Sequence, residues 1–531
     1  MVVGMVGMPD SAPRKSMAFS YSARRKDLVC EYLRNMYWTK VMALLALLGG
    51  MGAVVCKAQN PDSKRIDHWY FGQGAGLDFS GGAPVADTSG AMHVWKGNTT
   101  MSDTAGNLLF YSDGRHVWNA QHDTMPNGDI WGIPPGVFPM DCAIAVPKPG
   151  DDNIYYIFTS DGYKLTQQNG LQYHIIDMSL DGGLGDVVQK NIPLYSPVTE
   201  QLAAVRHGNN CDYWLITHEK DTENHLAFHI SGLGVDHTPV VSASGVSNLP
   251  FTCSFCEYTG AIILKASPQG DKLCSIIHRR WQNTGLGDQI QLSSFDHLTG
   301  QVANSFLIEL DSTFGGTSFS PSGEILYTEY GYSIAKLVQF DLSQFDSIPV
   351  NASRTIIRSS LTKEFSSDLA IANDGKLYGC TPWAWVLNKD SLAVIHQPDE
   401  WGLGCMLEEW GQGLAGRLPD QQLPRSVADY AASHAPEYCW LGVEDPDGIA
   451  DLIIWADVDL LWMRLDKSGT ATDRTFRLYS TMGTLCAQGN VRLSPGSAVA
   501  ITISHLLSAP YLLELSAPGE PRLVRPFVKP Q

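Results

Sequence analysis

Histidine is the usual metal ligand and proton carrier near neutral pH, and His207, His218, His225 and His229 crowd into one short stretch of the sequence. Placed at alternate positions on paired strands, they read first as a polar face. No HExxH accompanies them. Cys253-Ser-Phe-Cys256 has the spacing of half a zinc site, but no second CxxC or HxxxH follows at suitable distance, so a local disulfide or two buried thiols is the expectation. Asp177, Asp181 and Asp186 flank Gly182 and Gly183 somewhat as in a calcium loop. Leu180 and the missing terminal glutamate depart from that pattern, which leaves a turn held by aspartate side chains. The sequence contains no G-x-S-x-G elbow and no P-loop. We therefore expect no cofactor, no metal and no catalytic residue set legible from motifs. Trp118, Trp131, Trp281, Trp383 and Trp385 are of a type that stacks on sugars at a rim, although most tryptophans in repeated sheets pack between them.

The elements that must position these residues repeat. A short apolar or hydroxyl-rich strand, a polar turn centred on Gly and a second strand rich in Leu, Ile and Tyr begin at residues 99, 143, 202, 261, 317 and 369, in steps of 44 to 59 residues. That step suits one four-stranded propeller blade with its loops. Pro321-Ser-Gly323 and Asn373-Asp-Gly375 supply the positive φ that reverses the chain. The expectation is an all-β chain: a β-propeller over 66–430 with six blades, or seven if the two ends assemble one. His68 to Gly72 would then be a closing strand. A linker over 431–439 leads to 440–531, where alternating strands predict a small C-terminal β-sandwich. Two stacked sandwiches in place of the propeller are the alternative fold.

The apolar run Val41 to Val55, preceded by Lys40 and followed by Cys56-Lys57-Ala58-Gln59, has signal-peptide grammar and is too short for a membrane helix. Residues 36–58 then form the signal peptide, with cleavage between Ala58 and Gln59, and 1–35 an upstream extension. The 531-residue chain has a formal net charge of −18, with 37 basic and 55 acidic side chains. Such a balance disfavours a phosphate-binding surface, so no nucleic-acid partner is expected. An exported chain meets an oxidising compartment, but an odd cysteine count after cleavage leaves at least one thiol unpaired, and connectivity is not readable.

The stretches His174 to Asp186, Val198 to His218, Trp69 to Phe79 and Asn107 to Asn119 resemble the propeller region of surface proteins from bacteria with type IX secretion. The resemblance covers about 66–430 and implies display at the cell surface or release, with adhesion or recognition as the task. Leu478 to Gly483, the region from His505 to Leu515 and the basic end from Phe527 to Lys529 resemble the type A C-terminal sorting domain of that pathway. It implies Tyr479, Gly483, Tyr511, Phe527 and Lys529 as the motif positions and the type IX machinery as a partner. An extracellular glycan or protein ligand is the other expected partner. Two function classes stay open: a non-catalytic recognition propeller, or a propeller hydrolase or lyase acting on extracellular polysaccharide whose carboxylates meet only in three dimensions.

Overall fold

The computed structural model describes residues 60–130, 143–160, 169–220, 222–244, 260–278, 289–310, 314–331, 334–360, 368–380, 389–432, 452–456, 460–465, 472–480, 485–494, 497–506, 510–517 and 523–529. The chain is all-β and of β-propeller type. Seven antiparallel meanders follow one another: a three-stranded sheet 1 (residues 68–87), then sheets 2 (99–129), 3 (143–195), 4 (203–243), 5 (260–309), 6 (314–360) and 7 (368–413). Sheets 2, 3, 5, 6 and 7 have four strands in sequence order. Sheet 4 has a fifth, Val240–Ala243, paired with Asn224–Ser231.

The local reason for each meander is the turn. In sheet 2, Asp103 Oδ1 accepts the backbone N–H groups of Ala105 and Asn107 at 2.8 Å, while Gly106 sits at φ 94° between them. Gly323 and Gly375 take φ 70° and 75° at the two turns singled out from the sequence. Burial follows position within a meander. Ala143–Pro147, the first strand of its sheet, is buried at every residue, whereas half of the fourth strand, Asp186–Tyr195, is exposed at the outer edge.

Apolar clusters join the sheets pairwise. One cluster links sheets 2, 3 and 4 through Phe110, Phe158 and Phe228. Trp214 and Leu273 belong to a cluster between sheets 4 and 5, Ile290 and Phe340 to one between 5 and 6, and Tyr327 and Leu377 to one between 6 and 7. Sheet 1 packs on both ends of the series. Trp69 meets Tyr378 of sheet 7 edge-on at 5.7 Å, and Tyr70 stacks on Tyr111 of sheet 2 at 4.6 Å. After sheet 7 the chain passes beside the first strand of sheet 2, where Thr99 and Arg425 form a parallel bridge.

The C-terminal part holds a three-stranded sheet (Leu452–Ala456, Leu460–Leu465, Ala498–Thr502) and a four-stranded one. The latter comprises Leu485–Leu493, Thr472–Ser480, Pro510–Ser516 and Leu523–Val528, in that order. They share a core of their own around Leu461, Met463, Leu478, Leu493 and Leu513. The expected linker falls mainly on residues outside those described.

Candidate binding faces

First strands of successive sheets are neighbours and converge on a narrow inner space, lined by small side chains such as Ala204, Ala266, Ser318 and Ala370. The segment from Pro424 to Ala431 runs through it. Within it lies a charged group. Lys265 Nζ stands 3.0 Å from Asp368 Oδ1 and donates to the Leu369 carbonyl at 3.0 Å, while Leu423 N–H donates to Asp368 Oδ2 at 3.1 Å. Arg425 Nη2 is 3.8 Å from the same carboxylate. Burial pushes the Asp368 carboxyl up, and the adjacent Lys265 ammonium opposes that push. Burial likewise pulls the Arg425 guanidinium down to about 9. The cavity beside this group is about 70 Å³, enough for a few waters. Ligand pockets run to roughly 300–1,000 Å³. These charges therefore tie the tail segment to sheets 5 and 7, and among the described residues the space beside them is smaller than a sugar-sized pocket.

At the far end of this segment the two ends of the described propeller meet. Arg206 of sheet 4 pairs with Asp62 at 2.6 Å and with Asp429 at 2.7 Å, and Arg65 holds Asp62 at 2.7 Å. Asn60 Nδ2 donates to the Asp429 carbonyl at 2.7 Å.

At the near end, residues 91–95 connect sheets 1 and 2 with strict alternation. Ala91, His93 and Trp95 are exposed, and Met92 and Val94 are buried. The strip is pinned by Val94 N–H to the Gly72 carbonyl at 3.0 Å, Gly74 N–H to the Met92 carbonyl at 2.8 Å and Gln421 N–H to the Trp95 carbonyl at 3.1 Å. Asp420, 4% exposed, accepts the Gln73 side-chain N–H, so Gln73 Oε1 faces His93 Nδ1 at 3.1 Å. A carbonyl oxygen can only accept. His93 therefore carries its proton on Nδ1, which leaves the Nε2 lone pair for an incoming donor.

The structure separates the four clustered histidines into two pairs. His207 and His229 lie 5.0 Å apart with Trp214, and His229 Nε2 contacts Asp212 at 3.1 Å. His218 and His225 are 4.7 Å apart and buried. Among the described residues no three His, Cys, Asp or Glu side chains group as metal ligands. Asp177 is occupied by Ser179 N–H at 2.9 Å, and Asp186 by Asn127 Nδ2 at 2.8 Å. Trp118 is half-buried and stacked on Tyr111 at 5.4 Å. Trp131, Trp281, Trp383, Trp385, Cys253, Cys256, Ala58, Gln59 and Gly483 lie outside the described residues. Sequence reasoning missed Trp95, which is 50% exposed; the alternation of residues 91–95 was the available signal. Ser89 Oγ lies 2.8 Å from His122 Nε2, a pairing used by nucleophilic enzymes. Its proton is committed to Asp87 Oδ1 at 2.6 Å, so His122 is the donor and not the base.

Cys211 is disulfide-bonded, and the other described cysteines, Cys274, Cys380, Cys405 and Cys486, carry no disulfide, so its partner lies outside the described residues. In the C-terminal sheets, Tyr479 pairs with Leu512, and Tyr511 is buried opposite Phe527. Lys529 Nζ donates to the Leu506 carbonyl at 2.8 Å.

No family model and no curated protein matches the chain. Among solved structures it is similar to a putative 6-phosphogluconolactonase from Bacteroides uniformis, with 12% identity, 54% of this chain and 90% of that one covered and a TM-score of 0.32. It is also similar to hydrazine synthase from Kuenenia stuttgartiensis, with 13% identity, 65% and 99% covered and a TM-score of 0.37. A third similar structure is the β-propeller domain of Cps50 (Swd1) from Myceliophteria thermophila, with 11% identity, 62% and 93% covered and a TM-score of 0.34.

Proposed function

We propose that this chain is an exported, non-catalytic recognition protein. In this reading a closed seven-bladed propeller presents a ligand-binding face, and a C-terminal β-sandwich directs the chain through the type IX machinery to the cell surface or beyond. The observation that carries the recognition reading is the occupied inner space. Its ionisable groups bind one another beside a cavity of about 70 Å³, so an extracellular glycan or protein has to be met at the rim. Seven blades are supported by the packing of sheet 1 on both sheet 7 and sheet 2, which would leave no open edge between first and last sheets.

The disulfide at Cys211 supports export, because such bonds persist in oxidising compartments. Cleavage between Ala58 and Gln59 rests on the apolar run Val41 to Val55 and the small residue that follows it. The sorting role rests on the resemblance of the terminal strands and on their separate core. Expressed in a bacterium with type IX secretion, the mature protein begins at Gln59 by N-terminal sequencing. Deleting residues 440–531 leaves a folded propeller in the periplasm. Normal surface display of the truncated chain refutes the sorting role, and an intact Val41 to Val55 segment refutes cleavage.

A further inference from the structure

Leu403 is 83% exposed, Met406 58% and Trp401 41%, and all three belong to the turn that joins the third and fourth strands of sheet 7. The Met406 N–H donates to the Leu403 carbonyl at 3.2 Å, so these side chains leave one tight bend of the chain. Ile356, 51% exposed, stands on the outer strand of sheet 6, Thr355–Ser360, which packs beside this turn. Large apolar side chains left together in water mark interaction sites, and tryptophan and methionine are enriched in them. We propose that residues 396–406, with Ile356 beside them, form a docking surface for a protein partner that presents apolar side chains flanked by lysine or arginine. The proposal deepens the recognition reading by naming a class of protein ligand, and rests on it.

Buried polar groups of sheet 6 hold the turn from beneath. Gln339 donates to the Glu400 carbonyl at 2.8 Å and accepts the Gly402 N–H at 2.7 Å, and Tyr327 donates to the Pro398 carbonyl at 2.8 Å. Within the turn, Gln397 N–H donates to the Cys405 carbonyl at 3.0 Å. A partner therefore meets a preorganised surface, which keeps the ordering cost of binding low. The surrounding charge selects the partner. Residues 390–416 include Asp390, Asp399, Glu400, Glu408 and Glu409 and no lysine or arginine. Glu409 is met by Arg358 at 2.9 Å and Glu408 by His396 at 3.0 Å, whereas Asp399 and Glu400 are exposed immediately before Trp401. Basic groups on the partner complement this rim, while a second copy of the chain or an anionic lipid surface would bring like charge against it.

The test selects a phage-displayed library of random peptides on the processed chain from Gln59 to Gln531 and titrates the strongest binder by fluorescence anisotropy. Selected peptides interleave apolar residues with lysine or arginine. Leu403→Ser and Trp401→Ser each weaken binding at least about ten-fold, and Ile356→Ser weakens it less. The double variant Asp399→Asn, Glu400→Gln also weakens it and flattens its dependence on salt. Thermal melts confirm that each variant is folded. Peptides that bind wild type, Leu403→Ser and Trp401→Ser alike overturn the docking surface, as does an acidic consensus. Binding to vesicles of anionic phospholipid that Leu403→Ser abolishes would assign the patch to a membrane and overturn the protein partner. Recovery of no binding peptide also overturns the docking surface, and binding of a printed oligosaccharide by the same chain would then show that recognition itself survives.

Discussion

Asp368 is 1% exposed and receives a lysine, a backbone N–H and the field of an arginine, all from within the protein. Asp420 is 4% exposed and receives a glutamine amide whose other end holds an imidazole at the surface. Burial raises both carboxyl pKa values. The contrast lies in where each hydrogen-bond chain ends. At Asp368 it closes on itself and fastens the tail segment, whereas at Asp420 it runs outward to His93. Burial of a charged residue thus says little about its role until its partners have been followed to their end.

The sharpest way to break this comparison is Asp368→Ala. Removing the carboxylate leaves the Lys265 ammonium buried without this counter-charge, and a loss of about 3–5 kcal/mol is expected in urea denaturation. A loss no greater than that of a surface substitution would mean that the inner charges do not hold the tail.

Acid should discriminate between inner and outer histidines. Burial pulls His174 down to about 3, with the Lys190 ammonium adding to it. It pulls His225 to about 3, helped by His218, and His218 to about 4 against the Glu219 carbonyl. These folded values lie below the ordinary histidine value of about 6.5, so the unfolded chain takes up the protons first. Their contribution is complete above pH of about 6.5 and is lost as pH falls from there towards 3. Each costs on the order of 2 kcal/mol at pH 5. The slope of stability against pH between 6 and 4.5 should fall by about one proton in His174→Gln.

Gln73→Leu removes an exposed hydrogen bond to His93 and a part-buried one to Asp420, and should cost about 1–3 kcal/mol, below the Asp368 effect. Equal losses in the two variants would erase the distinction between fastening and presenting groups. The smallest effect is expected from deleting 440–531, whose core shares no residue with the propeller clusters: the propeller unfolding free energy should change by less than about 0.5 kcal/mol.

Much of the fold is readable from local pattern. The six starts expected at residues 99, 143, 202, 261, 317 and 369 fall within three residues of observed first strands, at Thr99, Ala143, Ala203, Gly260, Phe314 and Asp368. Each hairpin is set by nearby residues, a glycine at positive φ and an aspartate or serine that caps the turn. In Leu485–Leu493 the alternation is interrupted by Gly489. That glycine is required by a partner on the adjacent strand, since a Cβ there would lie 2.7 Å from the Phe476 ring.

What the sequence by itself determined is therefore the repeat, its turns and its all-β character, all of which depend on contacts within a few tens of residues. Only the tertiary structure decided which groups meet. Trp69 packs on Tyr378, Asn60 on Asp429, Lys265 on Asp368 and Gln73 on Asp420. Such pairs are joined by long chain closures and carry no periodic signal, because nothing in the spacing of two distant residues encodes that their strands converge. The same reason made four neighbouring histidines look like one cluster, although His207 and His218 stand near opposite ends of paired strands.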